Sequence, residues 1–226
     1  MVLEFFRGKA DQELEAVEQT IREMLLNCRH TFDLAINALL GGADPSIVGP
    51  DIRATDRKVN KAERAVRSDL VVHASVRGSN ADMPFMLISM SIVKDAERIG
   101  DYAKNIWDLA DAGVNLSEVA EGLDELLRHR DRTSQLIATT ATVFADRDAG
   151  EAHSILEEGD VWQDEYDDII IAQLSSEGST EHAVARALLY RYLKRITAHA
   201  LNVLTSLVMP IHRLDYYDEA KADREA

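Results

Sequence analysis

Glycine and proline interrupt this chain at five places, and the lengths between the interruptions dictate what it can fold into. The breaks are Gly41-Gly42 with Pro45 and Pro50, Gly78 with Pro84, Gly113, Gly150 and Gly178. They leave six segments, near 9–40, 51–77, 82–112, 116–147, 150–176 and 181–213, each with apolar residues at helical spacing. A helix of about 30 residues is about 45 Å long, and short loops between such rods force antiparallel neighbours. Helix-start signals agree with these limits: Asp82 before Pro84, Ser117, and Ser179-Thr180-Glu181. The β-branched run Ile169-Ile170-Ile171 continues a helical pattern that begins at Ile155, so no segment is assigned to a strand. The expectation is an all-α fold of six long antiparallel helices.

Composition bounds the function. Forty acidic residues against 25 basic ones give a formal net charge of -15, which argues against binding nucleic acid or an anionic membrane. The same balance suits a metal cation or a basic protein partner. Cys28 is the only cysteine, so neither an internal disulfide nor a Cys-based zinc site can form within one chain, and its apolar surroundings predict a buried thiol. No stretch approaches the roughly 18 apolar residues of a membrane span, and charges come too early for a signal peptide. A reduced, cytoplasmic protein is expected.

The two halves are related. Setting Arg98-Ile99 against Arg195-Ile196 aligns Tyr102 with His199, Ala103 with Ala200, Asn105 with Asn202 and Ile106 with Val203. On the second and fifth segments, Asp56 and Asn60 parallel Asp160 and Asp164. The pattern is an internal duplication of a three-helix unit, with residues 1–113 and 114–226 as the repeats.

Two carboxylates, Glu97 and Asp101, lie four residues apart and therefore on one helical face. The apolar stripe of the same segment, Ile92, Ala96, Ile99, Ala103 and Ile106, puts both acids roughly opposite its centre. The second segment has its stripe at Ile52, Val59, Ala62, Val66 and Leu70, flanked by Asp56, Asn60 and Glu63. Were the two helices neighbours, Asp56 and Asn60 could face Glu97 and Asp101. Oxygen donors of this kind suit hard cations. No nucleophile, Gly-rich phosphate loop or Glu-x-x-His string accompanies them, so catalysis is not expected.

The string Glu97-Arg-Ile-Gly-Asp-Tyr-Ala-Lys-Asn-Ile106 resembles the signature of the PhoU proteins, bacterial regulators of phosphate uptake and signalling. The duplicated unit, the chain length and the Asp-x-x-x-Asn and Asp-x-x-x-Asp strings extend the resemblance over nearly the whole chain. It implies two pseudo-symmetric three-helix bundles, a homodimer, no enzymatic activity, and acidic motifs that bind metal ions on the bundle surface. The ion would be magnesium, manganese, calcium, iron or zinc, held by Asp56, Asn60, Glu97 and Asp101 in the first repeat and by Asp160 and Asp164 in the second. The implied partners are the ATPase subunit of a phosphate transporter and a sensor kinase. Two other readings remain at this stage: an accessory subunit of a different phosphate or ion transporter, and a metal-handling bundle.

The second repeat departs from the pattern. Lys194 and Ala198 stand where Glu97 and Asp101 stand in the first, so a matching second metal site is in doubt, and Lys194 could pair with Asp160 or Asp164. In the first repeat Asn60 offers a neutral oxygen where an acid is common, which points to weaker or single-ion binding.

Other residues have plainer roles. Arg98 and Arg195 are expected to bridge to acids on adjacent helices, and Asn105 and Asn202 to hydrogen-bond between helices. His199 reads as a satisfied, half-buried histidine. Trp107 and Trp162 read as packing anchors, and Met83, Met86, Leu87 and Met90 as core or a groove. Leu3, Phe5 and Phe6 could cap the bundle, and the acidic tail from Asp215 is expected to be disordered.

Overall fold

The computed structural model describes residues 2–76, 82–117, 122–176 and 179–214, with side chains from residue 12 onward. These residues form α1 (Val2–Leu40), α2 (Pro45–Val76), α3 (Met83–Asp111), α4 (Leu123–Asp146), α5 (Ala149–Ala172) and α6 (Thr180–Val208), with short 3-10 turns at Gln173–Ser175 and Ile211–Arg213 and no strand among them. The all-α expectation holds. The side chains of Leu3, Phe5 and Phe6, both Gly78 and Gly178, and the tail from Asp215 lie outside the described residues.

Local chemistry explains most helix limits. Pro45 opens α2, and just before it the Asp44 carboxylate accepts from the Ser46 amide at 2.8 Å and the Ser46 hydroxyl at 2.7 Å. Those hydrogen bonds hold the Asp44 carboxyl below its ordinary range. α2 therefore begins before the position read from the sequence, and Pro50 sits inside it. Ser179 caps α6 as expected, accepting from the His182 amide. Ser117 is no cap: its amide and hydroxyl both donate to Asn115 Oδ1, and α4 starts only after Gly122, whose φ of 79° needs a residue without a Cβ. Asp82 occupies the cap position of α3 without capping it; its carboxylate faces His73 instead.

The α4–α5 break falls earlier than Gly150. Arg147 ends α4 in the left-handed region (φ 54°), a position glycine usually takes, and Asp148 caps α5 by accepting from the amides of Gly150 and Glu151, both at 3.0 Å. Arg147 also reaches Glu18 on α1 at 2.6 Å, a tertiary contact that favours this backbone. Gly150 is simply part of the first turn of α5.

α1 and α6 are the spines. Val17, Ile21, Met24, Leu25, Cys28, Phe32, Ile36 and Leu39 run along α1 at helical spacing, all buried. On α6 every residue from Ile196 to Thr205 is buried, the mark of a helix enclosed by neighbours on all sides. α1, α2 and α3 pack against one another; α6 packs on α4 and α5; α3–α6 and α1–α4 join the two sets. Between α1 and α4, Ser134 donates to Asp33 at 2.7 Å and accepts from Arg29 at 3.3 Å. Two glycines permit close packing. A Cβ on Gly100 would lie 3.1 Å from Cys28 Sγ, and one on Gly159 2.6 Å from Leu201.

The expected stripes of α2 and α3 face the core, with Ala62 half-buried at the margin. Trp107 is an anchor as expected: it is buried, donates to the Pro45 carbonyl at 3.0 Å and carries the Arg53 guanidinium 4.8 Å above its ring. Met86 is core and Met90 half-buried, while Met83 and Leu87 are exposed. No helix among the described residues is long and apolar enough to cross a membrane.

Candidate functional site

α2 and α3 bring together the acids that their spacing singles out. Asp56, Asn60 and Glu63 lie at successive turns of α2; Lys94, Glu97, Asp101 and Lys104 do the same on α3. Lys104 Nζ donates to Asp56 Oδ1 at 2.9 Å, and Asn60 Nδ2 donates to Asp56 Oδ2 at 3.3 Å. Lys94 Nζ donates to Glu97 at 2.6 Å and lies 3.7 Å from Glu63. Arg67 reaches Glu63 at 3.1 Å, and Arg98 reaches Asp101 at 3.4 Å.

Burial sets the electrostatics. Glu97 and Glu63 are each only 8% exposed, so Glu97 is not opposite the core as the single-helix projection implies. The reason is that α3 is covered on more than one side. Desolvation, followed by the nearby Glu97 charge, pushes the Asp101 carboxyl up. For Lys104, burial alone would lower the ammonium, but its hydrogen bond to Asp56 and the charges of Asp56, Asp101 and Asp108 outweigh it and raise it. Cys28, fully buried with its thiol donating to the Ala96 carbonyl at 3.2 Å, is pushed far up by burial, with Glu97, Asp101 and Asp56 adding to the effect.

Among the described residues no group of three or more His, Cys, Asp or Glu side chains is arranged to hold a metal ion. The lysines that partner the first-half acids were absent from the sequence reading. Both lie three residues from an acid of the motif, Lys94 before Glu97 and Lys104 after Asp101, and that spacing on one helix was the available signal.

In the second half Lys194 donates to Asp167, one turn beyond Asp164. Ala198 is buried and supplies no donor. Asp160 is half-buried and Asp164 exposed. A different polar group fills this bundle. Arg132 donates to Glu165 at 2.7 Å, to His129 Nδ1 at 2.7 Å and to the Tyr166 hydroxyl at 3.3 Å, and Tyr190 packs edge-on to His129. Burial, then the Arg132 charge, lowers the His129 imidazole. Trp162 is half-buried, with the Arg132 guanidinium 4.9 Å from its ring.

Where α3 meets α6, Asp95 accepts from His199 Nδ1 at 2.8 Å and from Asn202 Nδ2 at 3.1 Å. Asn202 thus bridges helices as expected. Arg195 donates to His199 Nε2 at 3.2 Å and extends over the Tyr102 ring of α3, while Arg98 stays on its own helix at Asp101, whereas bridging to an acid on an adjacent helix was expected of it. The Tyr102 and His199 rings stack at 5.7 Å, and Tyr102 meets Tyr192 at 6.0 Å. The register that matches Arg98 to Arg195 also matches Asp95 to Tyr192 and Tyr102 to His199. The contacts Asp95–His199 and Tyr192–Tyr102 are therefore one contact seen twice, about a local twofold that passes through the Tyr102–His199 stack.

Comparison with known proteins bears on this arrangement. The family model described as PhoU domain matches residues 21–110, from α1 into the last turn of α3. The Synechocystis sp. protein described as phosphate-specific transport system accessory protein PhoU homolog is 25% identical over 204 residues, covering 87% of this chain and 88% of that one. Residues 21–110 thus match the PhoU domain, and the similarity to a PhoU homolog continues beyond them. The PhoU fold extends through both halves. PhoU from Pseudomonas aeruginosa superposes with a TM-score of 0.75 at 23% identity, covering 90% of this chain and 98% of the other. The phosphate transport system regulatory protein PhoU from Streptococcus pneumoniae gives 0.76 at 21%, covering 88% and 95%.

Proposed function

We propose that this chain is a PhoU-type regulator of phosphate transport and phosphate-starvation signalling, acting in the cytoplasm by protein–protein contact and not by catalysis. The observation that carries the reading is the length of the likeness: the alignment with the Synechocystis accessory protein runs through 204 residues, well beyond the residues 21–110 of the family match. On this reading residues 1–113 and 114–226 are two repeats of one unit, and the partners are the ATPase subunit of a phosphate transporter and a sensor kinase.

The test is deletion in the native host with a phosphate-starvation reporter. The reporter should stay on in high phosphate and fall again when the chain is restored; a reporter that still responds to phosphate without the chain defeats the proposal. Affinity purification should recover the transporter ATPase or the kinase. Recovery of a sodium–phosphate cotransporter instead would select the accessory-subunit alternative.

Self-association belongs to the same reading, and the outer helices support it. α2 has six Lys and Arg residues and exposes Arg53, Arg57, Lys58, Lys61 and Arg64. α5 has eight acids and no Lys or Arg, and exposes Glu151, Glu157, Glu158, Asp164 and Asp168. Matched through Asp56 and Asp160, Arg53 corresponds to Glu157, Lys61 to Glu165 and Arg64 to Asp168. Equivalent surfaces of the two halves thus carry opposite charge, and α2 of one copy complements α5 of another.

A further inference from the structure

We propose that Lys94 and Lys104 are the resident counter-cations of the acidic cluster, so that ammonium groups hold α2 to α3 where a divalent ion would otherwise bind. Charge bookkeeping at the cluster carries this. Its four acids each meet a cation of the chain: Asp56 meets Lys104 at 2.9 Å, Glu97 meets Lys94 at 2.6 Å, Glu63 meets Arg67 at 3.1 Å, and Asp101 meets Arg98 at 3.4 Å. Four negative and four positive groups leave the cluster neutral.

A divalent cation added to this set finds no excess negative charge. Binding oxygen ligands at the roughly 2.0–2.6 Å of magnesium or calcium requires it to displace an ammonium from Asp56 or Glu97. Displacement has a cost at both ends. Lys94 serves two buried carboxylates from two helices, Glu63 and Glu97, and a buried charge deprived of its partner is strongly unfavourable. Lys104 is held by its hydrogen bond to Asp56 and by the charges around it. The neutral side chain of the cluster, Asn60, already turns its amide nitrogen to Asp56. The second half repeats the device with one lysine, Lys194 on Asp167, at the position that matches Glu97. The residues present therefore do not fit a resident metal ion, and the inference is independent of which partner the chain regulates.

The experiment is calorimetric titration of the purified full chain with Mn2+, beside elemental analysis and melting curves with and without chelator. The wild-type chain should bind no stoichiometric Mn2+, and chelator should leave its melting midpoint unchanged. Stoichiometric, chelator-sensitive Mn2+ in the wild type overturns the proposal. Lys94→Met with Lys104→Met should gain Mn2+ affinity by about tenfold or more, since two carboxylates lose their counter-charges. A folded double variant that binds no more Mn2+ than wild type also overturns it. Lys94→Arg with Lys104→Arg retains the charge and should stay indifferent to Mn2+. Should the methionine variant fold only in Mn2+, that rescue is the expected gain; should it fold in neither condition, the wild-type titration decides the matter alone.

Discussion

Asp95 on α3 and His199 on α6, 104 residues apart, share a buried hydrogen bond of 2.8 Å that fixes the tautomer of the imidazole. Arg195 can only donate, so His199 Nε2 accepts from it and Nδ1 carries the proton donated to Asp95. Asn202 donates to the same carboxylate oxygen. One acid thus satisfies two buried donors of the other half.

Asp95→Ala should therefore destabilise the chain by about 3 kcal/mol, because the His199 and Asn202 donors lose their acceptor inside the fold. Asp95→Asn keeps a carbonyl acceptor and should lose less. Urea denaturation followed by circular dichroism measures both. An alanine variant within about 0.5 kcal/mol of wild type would show that the bond does not join the halves energetically.

His129 predicts an acid-side weakness. Its folded value lies below the ordinary 6.5, so as pH falls below that point the unfolded chain takes up a proton that the folded chain resists. Stability should decline from about pH 6.5 downward until the folded imidazole titrates. Replacing His129 with Gln should flatten this part of the stability profile. An unchanged slope in the variant would assign the pH dependence to other groups.

Cys28 should be chemically silent in the native state. It is fully buried and its thiol is pushed far above the ordinary range, chiefly by burial, so thiolate is scarce as well as inaccessible. A thiol reagent such as Ellman's should label no cysteine in buffer and one per chain in denaturant, the single cysteine of the sequence. Rapid labelling of folded protein would mean that α1 and α3 separate readily at Gly100.

The opposed charges of α2 and α5 predict salt-sensitive self-association. Light scattering should show dimer or larger species at low ionic strength and a shift toward monomer near 1 M salt, where the Debye length is about 3 Å. Reversing Arg53, Lys61 and Arg64 to Glu should abolish the low-salt species. If mass is unaffected by either change, another surface joins the copies.

Most of the architecture was legible because the signals were local and repeated. Apolar stripes such as Ile92, Ala96, Ile99, Ala103 and Ile106 depend only on helix period, and each is buried. The limits that moved, at Pro45, Gly122 and Arg147, depend on backbone and tertiary chemistry: an Asp–Ser turn, a positive φ, and an arginine held left-handed by Glu18. Asp56, Asn60, Glu97 and Asp101 were correctly placed near one another. Their burial was not, because a projection of one helix says nothing about a third helix covering the opposite face. Asp95 escaped notice for a related reason: its partners, His199 and Asn202, sit on α6, and only the duplication register connects them.

That register has a consequence for history and for specificity. If residues 1–113 and 114–226 are two repeats of one unit, as proposed, α3 meets its own relative in α6, and a single ancestral unit would have paired through a surface compatible with itself. Two aspartates would have faced two histidines, or two tyrosines faced two others. On that reading fusion would remove the obligation, since each side of the junction could then change alone. Asp95–His199 on one side and Tyr192–Tyr102 on the other are the outcome, a lock whose two wards differ. α3 supplies the acceptor, Asp95, and α6 the donor, His199, so the pairing of the halves is directional.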